Sequence, residues 1–216
     1  MRKGDATRER ILEIAEAAVL AKGFGATSIE ELIAEAGLTK SGFFYHFKDK
    51  NELALGLLNR YEQQNNRLLD TVFARGRELS EDPLQAFLIG LNLFAEHMAA
   101  MPEGHPGCLV ATMTYQDRLF NREVRALVER ITREWSEKFR GMLDDIAAAY
   151  RPRDPVDLDQ LARMVCCMVD GGIILSKALG RPSVLPEQIL MVRNYIKLLF
   201  QPAVAVAVAP REQVAA

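Results

Sequence analysis

Cysteine is scarce in this chain, with three thiols among 216 residues. Cys166 and Cys167 are adjacent and Cys108 stands alone, so neither a disulfide framework nor a CxxC zinc spacing is available. Neighbouring helical positions also point about 100° apart, which argues against a bridge between Cys166 and Cys167. Histidine is equally sparse: His46, His97 and His105 are scattered, and no metal site is expected. No uninterrupted apolar run approaches the roughly 18 residues of a membrane span. The longest candidate, around Met164 to Leu175, is broken by Asp170 and two glycines. The opening MRKGDATRER has basic residues but no apolar stretch after them, so it does not read as a signal peptide. A soluble cytoplasmic protein without a membrane partner is expected. Nor is charge of one sign in excess, since 27 basic against 29 acidic residues leave a net charge of -2. A nucleic-acid partner is not suggested by bulk charge, and basic groups serving one would have to be placed locally. Paired carboxylates in a polar loop, a Ser/His/Asp set and a Gly-rich phosphate loop are all missing, so neither an enzyme nor a cofactor is expected.

What is present is ordinary globular material, 49% apolar and 26% charged, with 14 glycines and nine prolines. A core can be buried, and disorder as the main state is excluded. The periodicity is helical nearly throughout. Ile11, Leu12, Ala15, Ala18 and Val19 form one stripe of period 3.6, which Gly23 ends. Thr27-Ser28-Ile29-Glu30-Glu31 holds capping boxes in two registers, Thr27 with Glu30 or Ser28 with Glu31. Asp49 followed by Glu52 opens a long helix. Asp82-Pro83 reads as N-cap and N1. A stripe from Val124 to Tyr150 predicts another long helix, Asp157 with Gln160 opens the next, and Pro186 opens the last. The expected fold class is all-α. The expected division is a head at 1–50, a larger helical part at 51–201 and a disordered tail at 202–216. The Ala/Val alternation of that tail is too rich in Ala for a strand.

The informative segment is Thr27 to Lys50. Two short helices flank a tight turn, Ala36-Gly37-Leu38, and each has a cap residue at its start, which is the sequence form of a helix-turn-helix. In such a unit the second helix enters the major groove with its N-terminal residues nearest the bases. Here it reads Thr39-Lys40-Ser41-Gly42-Phe43-Phe44-Tyr45-His46. Thr39 and Ser41 offer hydroxyls, Lys40 a cation and Gly42 a close backbone approach, while Tyr45, His46 and Lys50 offer donors to phosphate. Phe43 and Phe47 are expected in the core of the head. Residues 1–50 carry eight Lys/Arg and eight Asp/Glu, the basic groups gathered in the terminal arm and near Lys40 to Lys50.

With those residues in place, 7–55 closely resembles the N-terminal domain of TetR-family transcriptional regulators. The first-helix pattern, Gly23-Phe24, Thr27-Ser28, Ala36-Gly37, Tyr45-His46-Phe47 and Lys50-x-x-Leu53 occur in the family's order and spacing. The resemblance covers about a quarter of the chain, and the helix count beyond it suits the family's ligand-binding and dimerisation domain. It implies a homodimer on a pseudo-palindromic double-stranded DNA operator, usually a repressor, released by a small-molecule effector. By position it implies that Lys40, Ser41, Gly42 and Phe44 face the groove, and that Thr27, Ser28, Thr39, Tyr45, His46 and Lys50 hold phosphates. Pro106-Gly107-Cys108-Leu109 resembles one branch, which includes regulators responding to unsaturated or electrophilic small molecules.

Candidate pocket residues in the larger part are Phe94, His97, Met98, Cys108, Met113, Tyr115, Trp135, Phe139, Met164, Met168 and Asp170. Each also has a simpler reading as bundle core or solvated surface. Asp170 stands out because two glycines follow it and large apolar residues surround it. Cys108 follows a candidate helix start that would favour a thiolate, although free cysteine is more often an inert buried residue. Besides the ligand-responsive regulator, two readings stay open: a constitutive DNA-binding dimer without an effector, and an all-helical enzyme. An internal cavity lined by Trp135 and methionines favours the first, and a solid core the second.

Overall fold

The computed structural model describes residues 3–201, and the expected disordered tail lies outside them. Among the described residues there are nine α-helices and no strand. None of these helices is long and apolar enough to cross a membrane.

Three helices make the head: α1 (Lys3–Lys22), α2 (Ile29–Ala36) and α3 (Lys40–His46). Of the two capping registers, the chain uses Ser28, whose hydroxyl accepts from the Glu31 amide at 3.1 Å. Gly37 closes α2 at φ 65°, a left-handed turn that a side chain would strain. Thr39 then caps α3, its hydroxyl accepting from the Gly42 amide. Ile11, Leu12, Val19, Leu32, Phe43 and Phe47 close the core of the head.

α4 (Lys50–Leu79) starts inside that core and runs out of it. Asp49 caps it by accepting from the amides of Asn51 and Glu52, and Glu52 in turn accepts from the Lys48 amide. Leu53, Leu57 and Leu58 bury against the head, and farther along Leu69, Val72 and Phe73 bury against the larger part. Arg60 of α4 is held by the Glu9, Glu13 and Glu16 carboxylates of α1, which fixes the angle between the two helices.

The larger part adds α5 (Pro83–Ala99), α6 (Leu109–Thr114), α7 (Arg122–Ala149), α8 (Leu158–Leu179) and α9 (Val184–Phe200). Asp82 and Asp157 cap α5 and α8 as the sequence predicts. α9 opens two residues before Pro186, which still falls in the first turn, where a proline needs no amide partner. α4 and α5 approach closely because Gly76 and Gly90 face the partner helix, with Ala86 backbone and the Phe73 ring filling the space of a β-carbon.

Contacts among α1, the start of α4 and the larger part tie the head down, among them the Phe24–Phe120 ring pair at 4.8 Å. Lys177 of α8 donates to the Leu20 carbonyl at 2.9 Å and to the Pro106 carbonyl at 3.1 Å. The Gln116 side chain accepts from the Gly25 amide, and the Asn51 side chain accepts from the Asn121 amide.

Candidate nucleic-acid interface and ligand cavity

α3 presents one face to the outside and one to the core. Phe43 and Phe47 are fully buried, as their positions predict. Lys40, Ser41 and Tyr45 are exposed, with Tyr45 standing out at 83%. Phe44 is partly exposed and packs edge-on to Phe43, at 5.6 Å between ring centroids. Tyr45 and His46 pack edge to face at 5.0 Å. Ser28 and Thr39 are exposed, each accepts one backbone amide, and the Thr39 hydroxyl also shares a hydrogen bond with the Ser41 hydroxyl at 3.2 Å.

Two of the expected phosphate donors have other work. The Thr27 side chain is 2% exposed and donates to the Gly23 carbonyl at 3.0 Å. The Lys50 ammonium donates to the carbonyls of Phe24 and Thr27, at 3.0 and 2.7 Å, and stands over the Phe24 ring. Burial pulls its pKa below the ordinary lysine range. Both side chains therefore hold the turn between α1 and α2, correcting the expectation that they reach outward.

In the larger part, α4, α5, α7 and α8 surround a cavity of about 60 Å³. Phe94, Met98, Trp135, Phe139 and Asp170 line it, as the sequence suggests. The remaining candidates lie elsewhere. His97 and Tyr115 are exposed to solvent, Met113 is buried away from the cavity, and Met164 and Met168 pack on the core without reaching the lining. Sequence reasoning misses Tyr61, Asn65, Leu69, His105, Cys166, Val169, Ile173 and Leu185, which complete the wall. The i, i+4, i+8 spacing of Tyr61, Asn65 and Leu69 on one face of α4 is the signal that could have found three of them.

One corner of the cavity is polar. Cys108, also a candidate, is not among the lining residues but lies behind this corner, where the Asp170 carboxyl and the Tyr61 hydroxyl act electrostatically on its thiol. The Ala111 amide also donates to the Cys108 sulfur, at 3.3 Å. Burial raises the Asp170 pKa, against the opposing effect of the Cys108 hydrogen bond. Burial likewise keeps His105 toward its neutral form, and its Nδ1 accepts from the Gly107 amide. Cys108 does not become the activated thiolate that its place before α6 suggested. It is buried, and burial together with the Asp170 charge pushes its pKa up to about 12, outweighing the one amide that favours the anion.

The head geometry has clear counterparts. The sequence model of the bacterial regulatory proteins of the tetR family matches residues 11–57, which span most of α1, all of α2 and α3 and the start of α4. The chain belongs to the TetR family. It is 25% identical to an HTH-type transcriptional regulator of Bacillus subtilis, YxaF, over 81% of this chain and 86% of that one. The transcriptional regulator AcuR of Cereibacter sphaeroides is also 25% identical, over 74% of this chain and 72% of its own. A TetR transcriptional regulator from Chloroflexus aurantiacus superposes with a TM-score of 0.75 at 27% identity, over 94% of this chain and all of that one. This TetR-family chain is accordingly a DNA-binding transcriptional regulator, with α2 and α3 as its helix-turn-helix.

Proposed function

We propose that the chain is a ligand-responsive repressor, with a DNA-binding head at 1–50 and an effector-binding and dimerisation part at 51–201. Two copies occupy a pseudo-palindromic operator, and a small molecule entering the cavity releases them. The carrying observation is the joint between cavity and head. His105 lines the cavity, the adjacent Pro106 carbonyl binds Lys177, and the same ammonium holds the last turn of α1. Displacement of the 105–108 segment by an occupant would shift the end of α1 and with it the spacing of the heads. The exposed donors of Lys40, Ser41, Tyr45, Ser28 and Thr39 and the half-buried His46, with Gly42 and Phe44 beside them, form the surface offered to the groove and its phosphates. The names of the relatives, all regulators, favour this reading over an enzyme.

Selection from a pool of random duplexes tests the proposal. An inverted repeat is expected, with half-sites about one helical turn apart. Lys40→Ala and Tyr45→Phe should each weaken binding without lowering Tm, and the salt slope should fall by about one for each phosphate that is no longer neutralised. Lys50→Ala should instead lower Tm, because it leaves the carbonyls of Phe24 and Thr27 without their donor. Unchanged affinity in both α3 variants removes the DNA assignment. A protein that no small molecule releases from its selected duplex is the constitutive dimer instead.

A further inference from the structure

We infer that the effector site is two spaces joined, the inner cavity and an outer pocket, with His105 as the movable wall between them. The inference rests on the effector reading above and names where the ligand enters and how large it is. The inner cavity holds about 60 Å³, and roughly 150 Å³ is what holds benzene in a protein interior, so as it stands it takes no ring. An outer pocket of about 260 Å³ lies between the loop after α5 and the end of α8, with Glu103, Gly104, Pro106, Lys177 and Pro182 in its lining. The two linings share one residue, His105, which is half-buried.

His105 is also the part of the inner wall that can give way. Every other residue lining the cavity sits on α4, α5, α7, α8 or α9, where displacement would strain closely packed helices. The Asn65 carboxamide is tied to its own helix, donating to the Tyr61 carbonyl at 2.8 Å. His105 instead stands on the loop between α5 and α6. Gly104 at φ 73° and Gly107 at φ 140° bracket it, backbone states that glycine adopts readily and that serve as pivots. Inside that bracket the imidazole is held by one hydrogen bond among the described residues, its Nδ1 accepting from the Gly107 amide at 3.2 Å. Burial keeps the ring toward its neutral form, so swinging it outward separates no charges. The joined space selects an amphipathic ligand. Phe94, Phe139 and Ile173 make the inner end largely apolar, and the outer end carries one side chain of each sign, Glu103 and Lys177. Those two charges offset each other and favour an uncharged polar group over an ion. The ligand is therefore a molecule with a ring-sized apolar body inward and an uncharged polar end outward.

Benzyl alcohol is the probe, titrated into the full-length protein. The Met98 methyl resonance reports on the inner cavity, and the Gly107 amide proton reports on its bond to His105. Both resonances should move with one saturation curve, the amide proton upfield as it loses its acceptor. His105→Ala opens the wall permanently, and the probe should then enter roughly tenfold faster, because no conformational step precedes binding. If Met98 moves and Gly107 does not, the ligand enters by another route and the proposal fails. If Gly107 moves and Met98 does not, the outer pocket acts alone and the joined site fails. If neither moves up to the solubility of the probe, or His105→Ala leaves the entry rate unchanged, the proposal fails as well. The titration of the unaltered protein decides the matter even where His105→Ala does not fold. Release from the selected duplex is read separately. If both resonances move while the duplex stays bound, the effector reading fails and the joined site stands.

Discussion

Cys108 shows how the surroundings of one residue decide its chemistry. Its position ahead of a helix places an amide on the sulfur, and that interaction alone would favour a thiolate. Around it, however, the Tyr61 ring, the α6 core and the Asp170 carboxyl exclude water and add negative charge. Desolvation of an anion outweighs the opposing effects of the Ala111 amide and the Tyr61 hydroxyl, so the thiol stays protonated. Because its pKa is raised to about 12, raising the pH through the ordinary thiol range does not activate it in the folded state. The three cysteines should therefore react in order of exposure. At pH 8.5 the exposed Cys167 is modified first, Cys166 more slowly, and Cys108 only on unfolding. Mass spectrometry after timed alkylation reads that order, and rapid labelling of Cys108 in the native protein would contradict the burial argument. Cys108→Ser should leave DNA binding in reducing buffer unchanged.

At the scale of elements, the sequence announces what local chemistry fixes and conceals what distant packing fixes. The caps at Ser28, Asp49, Asp82 and Asp157 are legible because acceptor and amide lie within three residues of each other. Phe43 and Phe47 are legible as core because they fall four apart on a short amphipathic helix. The inward turn of Lys50 is not legible, since its acceptors, Phe24 and Thr27, lie more than twenty residues upstream. Nor is the cavity wall, which takes Tyr61 and Asn65 from α4, His105 from a loop and Leu185 from α9. Close helix packing belongs to the same class. A β-carbon on Gly76 would lie 2.3 Å from the Ala86 carbonyl oxygen, a backbone atom that cannot rotate away. Alanine ordinarily gains about 1 kcal/mol over glycine inside a helix. Overpacking costs about 1–3 kcal/mol, and the rigid contact puts Gly76→Ala at the upper end of that range. We expect a net loss of about 2 kcal/mol, or roughly 4–8 °C in Tm. Gly141→Ala, where nothing stands within 4 Å, should instead stabilise the protein by up to about 1 kcal/mol. Equal effects from the two changes in thermal unfolding would show that the α4–α5 approach is looser than described.

For the whole molecule, the question is what covers α8 and α9. Their sequences carry more apolar residues than one stripe, and the fold divides them. Leu161, Val165 and Ile173 of α8, with Ile189, Val192 and Ile196 of α9, face the core. Ile174, Leu175 and Leu179, with Met191, Tyr195 and Leu198, stay 47–62% exposed. On α9 the exposed set recurs at i, i+4 and i+7, one continuous face, and the two helices pack side by side, so the faces adjoin. A contiguous apolar patch of that kind is costly in water and marks an interaction surface. In the homodimer proposed above, a second copy of the chain would meet it with the same patch through a two-fold axis, and that axis would set two α3 helices on successive half-sites of an inverted repeat. In that arrangement the larger part would govern DNA affinity without touching DNA, since the second head would bind at the high effective concentration created by the first. Leu198→Glu places a charge at the centre of the patch while leaving the core residues untouched. Sedimentation should give a dimer for the parent protein at micromolar concentration and a monomer for the variant, with unchanged far-UV circular dichroism. Operator affinity should fall by about 10²-fold or more in the variant, while affinity for a single half-site changes little. A parent protein that sediments as a monomer would remove the two-fold arrangement, and with it the reason for a palindromic operator.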